Sequence, residues 1–425
     1  MRILLLLVLA ACSPGSAEKG AEGPTWHADV KPLVDTHCVR CHSPNGTGPI
    51  DLTSQGAVEQ WSDRMLARME AGEMPPPVAD PTCRDYVGSE HLSLAPESVE
   101  TFRDWLDGGQ PEGKKSDATP ATEVVTELDG TDLSIQLIAP HRPTFDDARH
   151  PDNEYRCFAL EHGRDEAFYV TALGPRIDAT PMVHHIVVYV DDEGNIPDHD
   201  PAEGWDCIND MDGLDDGMIA GWAPGALPYV FPEGTGYRVE ADERVVMQMH
   251  YYNGAPDDTE MMDQSGYDFR TADSVSTELM MIPYGDYGFL IPAGARKYSY
   301  GFEVEIPETI QLSEGVEVPF PELTLYGVFP HMHVLGTGYE FTVFQDDGTE
   351  ECVVRSDNYD FDNQLTYDLK EPVVVGPGDR IWWSCTWDNS NRNPNLIHNP
   401  PIDIGYGERT DEEMCWAFTL GSIGW

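Results

Sequence analysis

From about residue 124 to its end the chain alternates short runs of β-branched and aromatic residues with turns of Gly, Pro, Asp and Asn. Ile186-Val187-Val188-Tyr189-Val190, Val245 to Tyr252, Leu323 to Phe329 and Val373 to Val375 are such runs. Branched and ring-bearing side chains pack well on a pleated surface, and the interrupting residues favour turns over strands. Helical periodicity is nearly absent, so the tract predicts β-sandwiches. Some 300 residues are too many for one small sandwich. The expected fold is mainly β: two tandem antiparallel, jelly-roll-like sandwiches over 124–283 and 284–425, divided near Ile282 to Ala293.

Residues 25–112 read differently. A helix-like run spans Val58 to Ala71, and Phe102, Trp105 and Leu106 ahead of Gly108-Gly109 read as a closing helix with Ser93 near its cap. Between the start and these helices stands Cys38-Val39-Arg40-Cys41-His42. This C-x-x-C-H pattern attaches a c-type haem: the two thiols bond to the porphyrin and the histidine ligates iron. A bare C-x-x-C could be a redox or zinc pair, but the adjacent histidine and an exported chain favour haem. Met74, 32 residues beyond His42 and followed by three prolines, is the expected second axial ligand; a His/Met pair raises the potential. Met65 and Met69 are expected in the core. The segment resembles the small α-helical cytochrome c domains of bacterial redox proteins.

Met1-Arg2 and the apolar run Ile3 to Leu9 are too short to span a bilayer and read as a signal peptide, residues 1–12. The run ends in Leu9-Ala10-Ala11-Cys12, which resembles a bacterial lipobox and implies cleavage before Cys12 and acylation of that cysteine. Ordinary signal cleavage, with Cys12 lost or unmodified, is the alternative. Residues 13–24 then form a flexible tether, and 113–123 a linker beginning near Gln110. The chain is expected to be exported and membrane-anchored, on the periplasmic side or outer membrane. A formal charge of −51 argues against nucleic acid and anionic lipid as partners. The acidic stretch Asp206 to Asp216 lacks the spacing of a calcium loop and reads as solvated.

Metal-capable residues recur along the β tract. His331 and His333 stand two apart, so on a strand they project from one face and can share an ion. A thioether would tilt such a site toward copper, and Met414 is the candidate. His184 and His185 are adjacent and would face opposite ways on an ideal strand. Co-ligation needs a bulge, or one ring using Nδ1 and the other Nε2. Gln248 and His250 share a strand face. His27, His37, His91, His141, His150, His162, His199 and His398 stand in polar or turn-like surroundings and are expected at the surface.

In this order, His-His, Gln-x-His-Tyr, His-x-His and Glu-Met-Cys, residues 124–425 resemble the copper type II, ascorbate-dependent monooxygenases. The resemblance implies two coppers: His184, His185 and His250 hold an electron-transfer copper, and His331, His333 and Met414 an oxygen-binding one. Gln248 matches the glutamine two residues before the family's third histidine and is carried over as a catalytic residue. It also implies the disulfide Cys385–Cys415 and, bracketing His184 and His185, Cys157–Cys207. Cys83 and Cys352 are left over, either free or paired across domains. The peptidylglycine enzymes of the family clamp a substrate carboxylate with an arginine where this chain has Phe329, and with asparagine and tyrosine where it has Trp416 and Phe418. The cleft wall is therefore expected to be aromatic, and a C-terminal glycine peptide is an unsuitable substrate.

Two functions follow as alternatives. One is a copper-dependent monooxygenase that hydroxylates a C–H bond of a small organic substrate with dioxygen. Its electrons would come from an external donor, an ascorbate-like reductant or a redox protein, and pass through the fused haem c. The other is a non-catalytic copper-binding or electron-transfer surface lipoprotein built on the same scaffold.

Overall fold

The computed structural model describes residues 23–424 apart from 45, 47, 121–126, 146–152, 192–193, 195, 197–198, 208–216, 225, 254–260, 314–315, 362 and 408. The signal peptide, Cys12 and most of the tether lie outside the described residues, as do His150 and most of the acidic stretch. No helix among the described residues is long and apolar enough to cross a membrane.

In the N-terminal half of the β tract a five-stranded antiparallel sheet runs in the order Trp205–Asp206, Asn153–Leu160, Val245–Tyr252, Val183–Val190, Met218–Trp222. It packs against strands Leu133–Gln136, Gly266–Ala272, Phe168–Arg176 and Thr235–Val239. In the C-terminal half, Tyr298–Glu305, Arg380–Trp387, Gly336–Phe344 and Glu350–Ser356 form a four-stranded sheet. That sheet covers Thr277–Gly285, Trp416–Gly424, Glu322–His331 and Tyr367–Val375. Trp383 and Trp387 are fully buried in the C-terminal core. At ~25 cal/mol per Å², aromatic rings of this kind contribute roughly 4–6 kcal/mol each before entropy is counted.

The sandwiches are thus present, but they are not separate antiparallel units. Thr277–Leu279 pair in parallel with Thr235–Tyr237, and Met280–Gly285 pair antiparallel with Trp416–Gly421. One strand therefore joins both halves into a single nine-stranded sheet. The division expected at 283/284 falls inside that shared strand, where no turn residue separates the two pairings.

The helical segment also differs from the self-contained 25–112 unit. Trp26, Val30, Val34, Phe102 and Trp105 close a small core around helices Lys31–His37, Gln55–Glu70 and Pro96–Asp107. Residues 79–92 leave it and join the C-terminal sandwich, where Ala79, Tyr86 and Leu92 are buried in its core. The Tyr86 hydroxyl donates to Val353 O at 3.1 Å, and Val87 N–H to Asp368 O at 2.9 Å. Cys83 is disulfide-bonded to Cys352, which settles the two leftover cysteines. Asp80 and Arg355 form an ion pair at 2.7 Å. This strap, and not only a linker, fixes the helical unit to the β tract. Of the linker, residues 113–120 are described and include a short 3-10 turn at Lys115–Asp117.

Candidate metal centres and their surroundings

His184 and His185 open one strand, and His250 stands opposite them on the next. A register shift between Val183 and His185 is the bulge that adjacent co-ligands require. Both rings offer Nδ1: His184 and His185 Nδ1 lie 3.2 Å apart, and His250 and His185 Nδ1 3.3 Å apart. The mixed use of Nδ1 and Nε2 is therefore unnecessary. Bonds of about 2.0–2.1 Å to a shared ion at a tetrahedral angle bring ligand nitrogens to about 3.3 Å, so the spacing fits a metal. His250 Nε2–H donates to Asn153 Oδ1 at 2.6 Å, which leaves Nδ1 with its lone pair. Tyr155 stacks on the other face of His250 with ring centroids 4.0 Å apart. Burial drives the pKa values of His185 and His250 well below the usual imidazole value, so both are neutral and able to ligate.

His331 is the last residue of its strand and His333 lies just beyond it, yet their rings meet edge-on at 5.2 Å. His331 Nδ1–H donates to Gln364 Oε1 at 2.7 Å, and His333 Nδ1–H to Glu412 O at 3.1 Å. The Gln364 amide is oriented in turn by donating to Phe361 O at 3.0 Å. Each histidine therefore keeps Nε2 free for an ion. Burial lowers His331 to about 4 and His333 to about 3. Met414 is 7% exposed and stands two residues before Trp416, which pairs with His331. Glu413 beside it is fully buried and accepts N–H groups from His333 at 2.9 Å, Leu335 at 2.7 Å and the Trp387 indole at 2.9 Å. Burial pushes its carboxyl up to about 8 against those donors. The disulfide Cys385–Cys415 closes the next position, and Cys157–Cys207 braces the first sheet.

The two groups face one another across the halves. His331 and His333 are near enough to His185 to disfavour a proton on it. Phe361 stands between them, its ring centroid 6.2 Å from His184 and 6.2 Å from His333. Beyond His331 the wall is aromatic: Phe329 lies 5.9 Å from the His331 ring, Phe418 6.2 Å from it, and Trp416 stacks on Phe418 at 5.9 Å. Met414 precedes the strand that carries Trp416 and Phe418 and does not continue it. Gln248 is buried against the first disulfide, with Nε2 3.7 Å from Cys207 Sγ.

In the helical unit Cys38 and Cys41 are free thiols. His42 Nδ1–H donates to Ile50 O at 3.1 Å, so its Nε2 can ligate. A cavity of about 1020 Å³ is lined by Cys38, Cys41, His42 and Met74 on one side and by His184 and His250 on the other. Pockets of 300–1,000 Å³ hold cofactor-sized ligands. The thiols, the oriented imidazole and the space fit a covalent haem. Met65 and Met69 line the same cavity while packing into the helical core, Met69 buried and Met65 partly so, and Met74 is 43% exposed.

Among the other histidines the surface expectation fails for His162, which is buried. It hydrogen-bonds through Nε2 to Glu240 O at 3.1 Å and accepts from Arg164 N–H at 3.1 Å. His141 is half-buried against Phe158 and Tyr251 and pairs with Glu154 at 2.9 Å. The partners that accompany this burial, Glu240 and Glu154, lie away from the histidines in the sequence, so local polarity there did not mean exposure.

The mainly β tract thus presents a three-histidine group able to hold a metal ion and, facing it, a His-x-His group. The chain belongs to the copper type II ascorbate-dependent monooxygenase family: residues 144–258 match its N-terminal domain and 279–420 its C-terminal domain. It is 26% identical over 247 residues to putative DBH-like monooxygenase protein 2 of Homo sapiens, covering 56% of this chain and 46% of that one. It is 25% identical over 305 residues to tyramine beta-hydroxylase of Caenorhabditis briggsae, covering 66% and 47%. Dopamine beta-hydroxylase of Canis lupus familiaris is 24% identical over 213 residues, covering 47% and 31%. The chain spans less than half the length of each of these relatives. Among solved structures, the capsid protein P2 of bacteriophage PM2 aligns at 8% identity with a TM-score of 0.24, covering 64% of this chain and 98% of that one. That likeness is too slight to bear on the fold.

Proposed function

We propose that the protein is a copper-dependent monooxygenase that hydroxylates a C–H bond of a small organic substrate with dioxygen, its electrons passing through a c-type haem held by the same chain. The observation that carries this reading is the placement of His184 and His250 in the wall of the cavity that holds Cys38, Cys41 and His42. His184, His185 and His250 would hold one copper, His331, His333 and Met414 the other, and Cys38, Cys41, His42 and Met74 the haem. Copper supplies one-electron redox chemistry and dioxygen activation, and haem c a one-electron store.

The chain's own residues do the rest. Asn153, Gln364 and the Glu412 carbonyl hold the imidazole protons away from the ligating nitrogens. Glu413 anchors the turn that carries His333. Phe329, Trp416 and Phe418 replace a polar clamp by an aromatic wall, which excludes water and suits an apolar substrate. Gln248, buried on the first disulfide, is a positioning residue in this reading. Three disulfides suit an oxidising compartment. With the lipobox at Cys12, this supports an exported lipoprotein that draws electrons from an ascorbate-like reductant or a redox protein.

Oxygen-18 incorporation into product, with ascorbate as donor, tests the reaction. Elemental analysis should find up to two coppers and one haem per chain. Met414→Leu should abolish turnover and spare copper at the three-histidine site. Full turnover in that variant, or zinc with no copper affinity in the parent, would overturn the assignment.

A further inference from the structure

A second cavity, of about 120 Å³, lies between the two sandwiches on the far side of Phe329 and Phe418 from His331. Its lining is largely apolar, with Met218, Leu173, Val328 and Leu420 among the walls. Three ionisable side chains enter it: Asp368, Tyr229 and Tyr267. Among the described lining residues Asp368 carries the only formal charge, and no lysine or arginine faces it. Asp368 pairs with Gly327 across the sheet. A Cβ at Gly327 would lie 3.2 Å from the Tyr229 hydroxyl and 3.3 Å from Asp368 Oδ1, so both polar atoms converge on that glycine.

Asp368 as a residue is only half-buried, but its Oδ1 is fully covered, and the donor that reaches it in the cavity is the neutral Tyr229 hydroxyl, not a cation. The Tyr267 hydroxyl is fully covered with no hydrogen-bond partner among the described residues, on a residue with no exposure at all. Buried polar groups are costly to leave unmatched, and the great majority find a partner. Burial pushes the Asp368 carboxyl up to about 8, and a cation beside it would favour the ionised form.

We infer that this cavity is a binding site for a small organic cation, an alkylammonium of a few carbons. Asp368 would take the charge, Tyr229 and Tyr267 an N–H or the face of the cation, and Phe329 and Phe418 the apolar remainder. Aromatic faces attract ammonium groups, and an apolar cavity of about 150 Å³ accepts a benzene-sized guest, so the dimensions suit such a ligand. The inference does not depend on the reaction proposed above.

The test is calorimetric titration of the full chain with n-butylammonium chloride and with 1-butanol, at constant ionic strength and mildly alkaline pH. The large negative charge attracts every cation weakly, so each titration is repeated with Asp368→Asn, which leaves that background in place. The ammonium should bind at least about tenfold more tightly than the alcohol, and Asp368→Asn should remove the preference. Tyr267→Phe, a milder change, should weaken the ammonium and leave the alcohol unchanged. Equal affinities, a preference that survives Asp368→Asn, or no saturable heat from either probe would each overturn the proposal. In the last case the cavity would hold water alone.

Discussion

At the scale of single residues, the partners that orient the imidazoles matter as much as the imidazoles. Asn153 accepts from His250 and so fixes which nitrogen faces the shared site. Asn153→Ala should lower copper affinity at the three-histidine group by about 10–100-fold, the usual cost of losing such a partner. A chelator-competition titration measures it, and the His331/His333 group should be unaffected. The ligands themselves were legible in the sequence because spacing constrains them: His331 and His333 share a face, and His184 and His185 needed a bulge that is present. Asn153, Phe361 and Gln364 were not legible. They come from a strand end and a turn-rich loop, belong to no motif, and reach the histidines only through folding over distances of 28 to 177 residues, as the numbers 333/361 and 184/361 show. Glu413 left a faint signal, an acid directly before Met414 and the strand-bracing half-cystine Cys415.

At the scale of elements, the strap 79–92 is the departure that sequence reading missed. Tyr86 and Leu92 look like ordinary helix-domain core residues, and nothing local says that they pack against strands about 270 residues away. Replacing Cys83 and Cys352 by serine should cost about 2–5 kcal/mol, read as a lower denaturation midpoint at unchanged copper content. The neighbouring Asp80–Arg355 pair adds a pH dependence. The Arg355 hydrogen bond, with those from Thr82, holds the Asp80 carboxyl at about 2, below the ordinary 3.8. A depressed carboxyl contributes stability that is fully present above 3.8 and is lost as pH falls through about 2. The pair is partly exposed and screened, so the effect is small. Melting temperature followed through that window should fall more steeply in the parent than in Asp80→Asn; identical slopes would show that the pair contributes nothing. The shared strand Thr277–Gly285 was equally hidden, because a strand that changes partners along its length carries no break in its pattern.

At the scale of the whole molecule, three candidate redox centres are arranged around one junction. The haem-attachment motif and the three-histidine group line one cavity, and Phe361 separates that group from His333. A flexible linker of about 14 residues would hold two modules only within a root-mean-square span of roughly 20 Å. The strap does more, since it bonds the helical unit to the C-terminal sandwich. The central claim is that this placement lets electrons held at the helical unit reach the histidine groups. The direct measurement is rapid mixing of the fully reduced, copper-loaded protein with oxygen and substrate, following the haem absorbance. The account predicts that haem oxidation is faster in the parent than in the His184→Ala/His185→Ala variant. Equal rates in the two proteins would contradict it.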